Sequence, residues 1–162
     1  MTTEYLLAKI DAGVDAVQLF ESSAAALDAA AYGQWALPYQ QIIFDRLRDS
    51  GVPTVLFAKG TARELLAESR AAVISIGSDQ SIVGARRAMP TGGVQGNLDN
   101  HLLRDGTPGD VRRTAERCIA DGGHRGHMLN LGHGVIKDTP VEIVQAVIDA
   151  AHGYFVEPEV LA

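Results

Sequence analysis

The residue best placed for chemistry is a histidine between two glycines, His133 in the stretch Asn130-Leu131-Gly132-His133-Gly134. An imidazole can donate or accept a hydrogen bond and can carry charge near neutral pH. Glycine on both sides frees the backbone and lets a ligand approach closely. A single loop of this kind is more often an ordinary turn with a solvated histidine. The functional interpretation is favoured because polar stretches also follow four earlier segments of the chain, and three of these stretches contain glycine or directly follow one.

Five short apolar segments are predicted to be β-strands, since they are rich in β-branched and aromatic residues and end in glycine or polar residues. They cover residues 15–21, 54–58, 72–77, 93–96 and 127–131. Each is followed by side chains able to contact a ligand: Glu21-Ser22, Lys59-Gly60, Ser78-Asp79, Asn97-Leu98-Asp99 and His133-Gly134. Ligands bind at the carboxyl ends of strands in barrels and in open parallel sheets. The pattern therefore predicts one site built from strand-end residues.

Helices are predicted between the strands, at residues 3–11, 28–49, 61–70 and 81–88, and after the sequences Thr107-Pro108-Gly109-Asp110 and Thr139-Pro140-Val141-Glu142. Pro38 is expected in the first turn of a new helix within 28–49. The last helix is expected to begin with a capping box. The apolar sides of the first and last helices are expected to contain Tyr5, Leu6 and Ile10, and Val144, Val147, Ile148 and Ala151, respectively. This alternation indicates an α/β fold with a parallel sheet, as one domain over residues 1–155 followed by a frayed tail at 156–162.

Composition narrows the class of protein. A formal net charge of −6 and a pI near 5.3 argue against a nucleic-acid or anionic-membrane surface. Cys118 is the only cysteine, so neither a disulfide framework nor a cysteine-rich zinc site can form within one chain. No apolar run reaches the length of a membrane span, and Glu4 and Lys9 lie where a signal peptide would need its apolar core. We therefore expect a cytoplasmic protein.

The strand-end motifs, taken together, resemble the uroporphyrinogen decarboxylase family. The motifs are Gln18-Leu19-Phe20-Glu21-Ser22, Phe57-Ala58-Lys59-Gly60, Gln95-Gly96-Asn97-Leu98-Asp99 and Asn130-Leu131-Gly132-His133-Gly134. Leu37-Pro38-Tyr39, Gly77 with Asp79, and Asp138-Thr139-Pro140 support the resemblance. The motifs occur in the family's order and at close to its intervals, from about residue 3 to residue 152.

The resemblance implies a TIM (β/α)₈ barrel whose mouth holds a porphyrinogen with eight carboxylates. Family members remove CO₂ from the four acetate arms of uroporphyrinogen III to give coproporphyrinogen III in heme biosynthesis, without a metal or organic cofactor. It also implies that Ser22 and His133 bind substrate, whereas Asp79, Asn97, Asp99 and Lys59 match positions that we interpret as structural. The remaining histidines, His101, His124, His127 and His152, are interpreted as surface or packing residues, and Trp35 and Tyr39 as core residues.

The sequence also departs from the family. An Arg-Gln-Ala-Gly-Arg-type motif, the aspartate that faces the pyrrole nitrogens and a substrate-binding tyrosine are all expected upstream of Met1, so the chain corresponds to strands four to eight. We therefore predict no catalytic residue within it, an incomplete barrel of about five strands, and an inactive isolated chain. Because unpaired strand edges are costly, the chain is expected to form homo-oligomers or to need a missing N-terminal half. Gln80 replaces the family's usual tryptophan and is expected to loosen the local wall.

Three other functions stay open at this stage. A non-catalytic half-barrel could assemble or bind a tetrapyrrole. Corrinoid-linked methyltransferases share the fold but need a His-x-Cys zinc-ligand pair near the second strand end, where this chain has Ala58-Lys59-Gly60. Glycine-rich loops after late strands can also hold phosphate, but a phosphate site leaves the other strand-end motifs unexplained.

Overall fold

A five-stranded parallel sheet, with its strands in sequential order, forms the centre of the computed structural model, which describes residues 1–123 and 125–154. Our predictions for His124 and for the tail at 156–162 lie outside the described residues. The strands are β1 Val17–Glu21, β2 Thr54–Ala58, β3 Val73–Ser75, β4 Gly93–Gln95 and β5 His127–Met128. A bridge between Leu98 and Leu131 continues the pairing of β4 and β5. All five predicted strands are confirmed: β2 has the predicted bounds, and each of the other four is shorter at one or both ends.

Helices connect consecutive strands, as the alternation predicts. They are α1 Thr2–Asp11, α2 Ala29–Trp35, α3 Leu37–Leu47, α4 Arg63–Ala67, α5 Ile82–Ala88, α6 Asn100–Asp105, α7 Pro108–Gly122 and α8 Val141–Gly153, with short 3-10 helices at Ser22–Ala26 and Arg48–Ser50. The 3-10 helices and α6 were not predicted. Ser22–Ala26 and α6 follow strand ends and shape the loops at the carboxyl edge of the sheet.

The two faces of the sheet have different roles. On the convex face Leu56, Ile74 and Val94 are fully buried in one hydrophobic core with the helices. On the concave face one row of side chains is in register across all five strands: Phe20, Phe57, Ser75, Gln95 and Met128. Its central members are buried, whereas Phe20 is 65% exposed and Met128 is 46% exposed.

Among the described residues, β1 and β5 each pair on one side only. The sheet is therefore open, and sequentially ordered parallel strands with helices on the convex side make it part of a TIM barrel. The exposed side chains of the concave row lie on these two edge strands, whereas its buried members lie on the three inner strands. This confirms the predicted fold class, an incomplete barrel of five strands.

Two predicted helix starts are confirmed. The predicted helix at 28–49 is divided near Ala36, and Pro38 lies in the first turn of α3. Thr107 caps α7 in a reciprocal capping box, since its Oγ1 accepts a hydrogen bond from Asp110 N and the Asp110 carboxylate accepts one from Thr107 N. These local signals suffice because a cap depends on residues only three positions apart.

The prediction for the last helix was wrong in two respects. Pro140, rather than Thr139, is the N-cap residue of α8, and Thr139 Oγ1 instead donates to Ile136 O at 2.8 Å. Its buried face is formed by Ile143, Ala146 and Ala150, whereas the predicted Ile148 and Ala151 are exposed. Two overlapping apolar stripes share this helix, and packing against α7 buries the one with the smaller side chains.

Several aromatic residues predicted to lie in the core are on the surface. Trp35 is 63% exposed and Tyr39 is 61% exposed, and Tyr5 of α1 is exposed as well. The buried aromatic of this region is Tyr32, whose hydroxyl donates to Gln40 Oε1 at 2.6 Å. Burial raises the pKa of Tyr32, with an opposing contribution from the Gln40 hydrogen bond.

His127 packs beneath the sheet edge, as predicted for a packing residue. A methyl group on Gly122 of α7 would overlap its imidazole, and its Nε2 lies 2.8 Å from Gly96 O. Burial lowers the pKa of His127, the Gly96 hydrogen bond opposes this shift, and the charge of Arg86 adds to it.

Replacing His127 is expected to make the chain's free energy of unfolding less dependent on pH below neutrality. Because the folded pKa is below the ordinary value of 6.5, the unfolded chain takes up a proton first as pH falls. The stability that depends on neutral His127 is complete above that value and is lost as pH falls toward the folded pKa. Urea midpoints of the wild type and His127→Gln should therefore converge between about pH 7.5 and pH 5.5. His152→Gln, on an exposed part of α8, should keep the wild-type profile, and a pH-independent difference for His127→Gln would contradict the assignment.

Candidate functional site

Three loops meet closely at the carboxyl ends of β3, β4 and β5. Gly132 N donates to Leu98 O at 2.8 Å, and Leu98 N donates to Asn130 O at 2.9 Å. Gly132 packs directly on the backbone of the β3 loop, where an added Cβ would overlap Ser78 N and lie 2.9 Å from Gly77 C. Glycine is therefore required at 132 by close backbone approach, and this contact sets the position of His133.

A side-chain hydrogen bond joins the same loop to α6. Asn100 Nδ2 donates to Gly134 O at 2.8 Å. Asp99 caps α6, since its Oδ1 accepts from His101 N at 2.9 Å. The first turn of α6 and the histidine loop are thus held together.

Asn97 and Gln80 form the polar wall behind these loops. Asn97 Nδ2 donates to Gly77 O at 2.8 Å and to Gln80 O at 2.6 Å, which is the structural role predicted for an amide at a strand end. The Gln80 side chain accepts from Arg63 N at 2.9 Å and donates to Thr61 O at 3.0 Å. The amide of Gln80, the residue expected to loosen this wall, thus joins the loops after β2 and β3.

Two adjoining clefts lie at this edge of the sheet. The outer cleft, of about 390 Å³, is lined by Ala25, Phe57, Lys59, Gly60, Gly77, Ser78, Asp79, Asp99, Asn100, His101, Gly132 and His133. The inner cleft, of about 250 Å³, extends onto the concave face and is lined by Gln18, Phe20, Ser22, Phe57, Ser75, Asn130, Leu131, His133 and Gly134. Phe57 and His133 line both clefts, so the two form one continuous mouth.

Aromatic contacts position His133 in this mouth. Its ring packs edge to face on Phe57, with centroids 6.2 Å apart and planes at 65°. Phe57 in turn packs against Phe20, with centroids 6.1 Å apart. The rings give the mouth an apolar surface from β1 to the histidine loop, beside which the imidazole can form hydrogen bonds.

Ser22 and His133 line the same inner cleft, although they follow the two edge strands of the sheet. Ser22 is exposed at the start of the first 3-10 helix, which Glu21 caps by accepting from Ser23 N at 3.2 Å. Lys59, Asp79 and Asp99 line the outer cleft, whereas Asn97 lines neither cleft. The predicted strand-end residues therefore lie on one edge of the molecule.

His101 is the mouth residue that the sequence interpretation missed, because it was taken as a surface or packing histidine. It is exposed and lines the outer cleft together with His133. Asp99 could have indicated this position, because aspartate is a favoured N-cap residue. A helix that starts there brings residue 101 back toward the strand ends.

Cys118 lies outside the mouth. Its thiol is buried against the β4 loop, with Sγ 3.4 Å from Gly96 O, and burial raises its pKa. In the described part of the chain no group of three or more histidine, cysteine or acidic side chains is arranged to hold a metal ion. Among residues 1–123 and 125–154, no helix combines the length and apolar character needed to cross a membrane.

The mouth combines imidazole, ammonium and hydroxyl groups with exposed aromatic surface. Cationic and hydroxyl groups form hydrogen bonds with carboxylates, and aromatic rings provide contact area for a flat apolar ligand. The mouth can therefore donate hydrogen bonds to an anionic group and offer apolar contact area to the rest of a ligand.

Comparisons with known proteins agree with this geometry. The family model for uroporphyrinogen decarboxylase matches residues 1–154. Uroporphyrinogen decarboxylases from Nocardia farcinica and Rhodococcus opacus are each 40% identical, over 94% and 93% of this chain and 45% of their own lengths. The chain thus spans less than half the length of these curated relatives. A solved methyltransferase from Methanosarcina mazei has the same fold, with a TM-score of 0.76 and 20% identity over 89% of this chain and 43% of its own. On the extent of the family match, this chain belongs to the uroporphyrinogen decarboxylase family.

Proposed function

We propose that the chain contributes part of the substrate-binding mouth of an enzyme that decarboxylates uroporphyrinogen to coproporphyrinogen. The observation that carries the proposal is that Ser22 and His133 line one cleft beside Phe20 and Phe57. The hydroxyl and imidazole contact substrate carboxylates, and the two phenyl rings contact the macrocycle. The family membership supports this assignment of roles.

The reaction needs a bound, oriented acetate more than it needs a nucleophile. Protonation of a pyrrole carbon makes the ring electron-poor. The electron pair of the bond to the carboxyl group then moves toward the ring as CO₂ leaves. A proton adds to the side-chain carbon in place of CO₂, and the ring releases the proton that it took up, so that one proton is consumed for each CO₂ lost. Ser22 and His133 orient carboxylates for this step. The resemblance assigns the central aspartate and the arginines to strands that these 162 residues do not include.

The open sheet supports a second part of the proposal, a partner along its edges. The outer sides of β1 and β5 carry unpaired backbone groups among the described residues, and the exposed Phe20 and Met128 flank the concave face. Strands that complete the barrel would pair with these edges and cover both side chains. A second copy of the chain is the alternative occupant.

The methyltransferase alternative gains no comparable support. The methyltransferase neighbour is 20% identical and shows the fold alone. The only cysteine, Cys118, is buried behind the β4 loop instead of lining the mouth.

Removing either proposed contact is expected to weaken porphyrin binding. Uroporphyrin, the oxidised and coloured ring with the same eight carboxylates, is a suitable probe for fluorescence titration of the chain. His133→Gln and Ser22→Ala should each lower affinity by roughly 3- to 10-fold, because a hydrogen bond contributes about 0.5–1.5 kcal/mol net.

The matched control is His152→Gln, which removes an exposed imidazole from α8 outside both clefts. It should bind as the wild type does. Wild-type affinity in both mouth variants, or no binding of uroporphyrin by the wild type, would refute the proposed contacts.

A further inference from the structure

The outer cleft contains three basic side chains from three different segments of the chain. Lys59 follows β2, His101 lies in the first turn of α6, and His133 follows β5. Neither Lys59 nor His101 lines the inner cleft, where the Ser22 and His133 pair is found. The mouth therefore has further side chains, in addition to the proposed pair, that can donate hydrogen bonds to a ligand carboxylate.

The backbones that carry these side chains are held in place. Lys59 N donates to Glu21 O at 3.1 Å, and the following Gly60 adopts a positive φ of 71° that turns the chain away from the strand. His101 is held by the Asp99 cap and by the hydrogen bond from Asn100 to Gly134 O at 2.8 Å. A ligand group bound between Lys59 and His101 would meet two anchored loops.

Two carboxylates also line this cleft, and both have local structural roles. Asp99 accepts the hydrogen bond from His101 N that starts α6. Asp79 folds back over Gly77, since a Cβ built on that glycine would lie 2.5 Å from Asp79 Oδ1. Because the Asp99 oxygen is engaged with backbone and Asp79 lies against the β3 loop, Lys59 and His101 are the better contacts for an anionic ligand.

We propose that Lys59 and His101 form a second carboxylate-binding site, separate from the contact that Ser22 and His133 make in the inner cleft. This proposal rests on the proposed function, because only a ligand with several carboxylates can occupy both places at once. The two sites would hold different arms of one macrocycle, so each would strengthen binding independently. On this proposal Lys59 and His101, which we interpreted from the sequence as structural and surface residues, help to determine specificity for a ligand with several carboxylates.

The test is a mutant cycle with uroporphyrin as the probe and the full 162-residue chain as the protein. Lys59→Gln with His101→Gln removes the outer pair, His133→Gln removes the inner imidazole, and the triple variant removes both. Removing the outer pair should lower affinity by roughly 10-fold. The fold-losses of the outer and inner variants should multiply in the triple variant, because the free-energy changes of independent sites add. Lys137→Gln with His152→Gln, two exposed residues outside both clefts, is the charge-matched control. Equal urea midpoints would show that the variants remain folded.

The outcomes separate this inference from the proposed function. If His133→Gln weakens binding while the outer variant binds as the wild type, the second site is refuted and the proposed function stands. If the outer variant has an effect only while His133 is present, both groups contact one carboxylate and the second site is again refuted. If no variant changes affinity, both proposals fail. If the outer variant and the control pair lose the same amount of uroporphyrin affinity, the change in net charge explains both losses. That result would also refute the second site.

Discussion

Uroporphyrinogen incubated with the isolated chain is expected to keep all eight of its carboxylates, under conditions in which a full-length relative converts it. The chain spans 45% of the length of the Nocardia farcinica relative, and the sheet is open at β1 and β5 among the described residues. The family resemblance assigns the central aspartate and the arginines to strands other than these five, so we expect most of the transition-state stabilisation to be lost. Chromatography of the oxidised porphyrins after incubation would measure the number of carboxylates left.

A complementation experiment tests whether activity returns when the rest of the barrel is supplied. Co-expression with the remaining N-terminal part of the Nocardia farcinica relative should close the barrel and restore conversion. In that complex, His133→Gln should lower kcat/KM by roughly 10-fold or more, whereas His152→Gln should not. Conversion by the isolated chain at the rate of a full-length relative would contradict the prediction and would show that the five strands contain the catalytic groups.

Gly132→Ala is expected to cause the largest structural effect of any single methyl group added at the mouth. The new Cβ would overlap Ser78 N and lie 2.9 Å from Ser78 Cα, so backbone instead of a flexible side chain would have to move. Overpacking of this kind costs about 1–3 kcal/mol. The hydrogen bond from Gly132 N to Leu98 O would be strained, and His133 would move away from Phe57. Urea unfolding should show the stability loss, and uroporphyrin titration should show weaker binding.

Gly134→Ala is the matched control, because it adds the same methyl group two residues later, where nothing lies within 4 Å. Its unfolding midpoint should stay close to that of the wild type. Similar midpoints for the two variants would contradict the close contact between the loops after β3 and β5. A destabilised Gly132→Ala with unchanged uroporphyrin affinity would instead show that the position of His133 does not matter for binding.

The strands and their order could be predicted from the sequence because each strand is a short apolar segment that ends in glycine or polar residues. A one-residue change of register would move inward-facing Phe20 and Phe57 to the convex face, so the alternation is strongly constrained. Caps were equally local, as Thr107 and Asp110 show. The strand-end location of Ser22 and His133 followed from parallel topology alone, since carboxyl ends share one edge.

Predictions that depended on competition between neighbours were less successful. Both Ile148 and Ile143 fit a helical apolar stripe on α8, and only packing against α7 buries Ile143 and exposes Ile148. Trp35 and Tyr39 have the composition of core residues, yet the adjacent Tyr32 occupies the buried position. The Gln80 side chain accepts a hydrogen bond from Arg63 N and donates one to Thr61 O, and neither contact could be inferred from the local sequence.

The parallel βα architecture, the family, and the edge at which Ser22 and His133 lie could all be inferred from the residues alone, because periodicity, caps and strand-end motifs are local or ordered along the chain. Which side chains share a cleft depends instead on how the loops pack in three dimensions. His101 reaches the mouth through the cap of α6 and the hydrogen bond from Asn100 to Gly134, and His133 is positioned by the contact of Gly132 with Ser78. Contacts between loops more than thirty residues apart depend on the twist and curvature of the sheet, which no short stretch of sequence encodes.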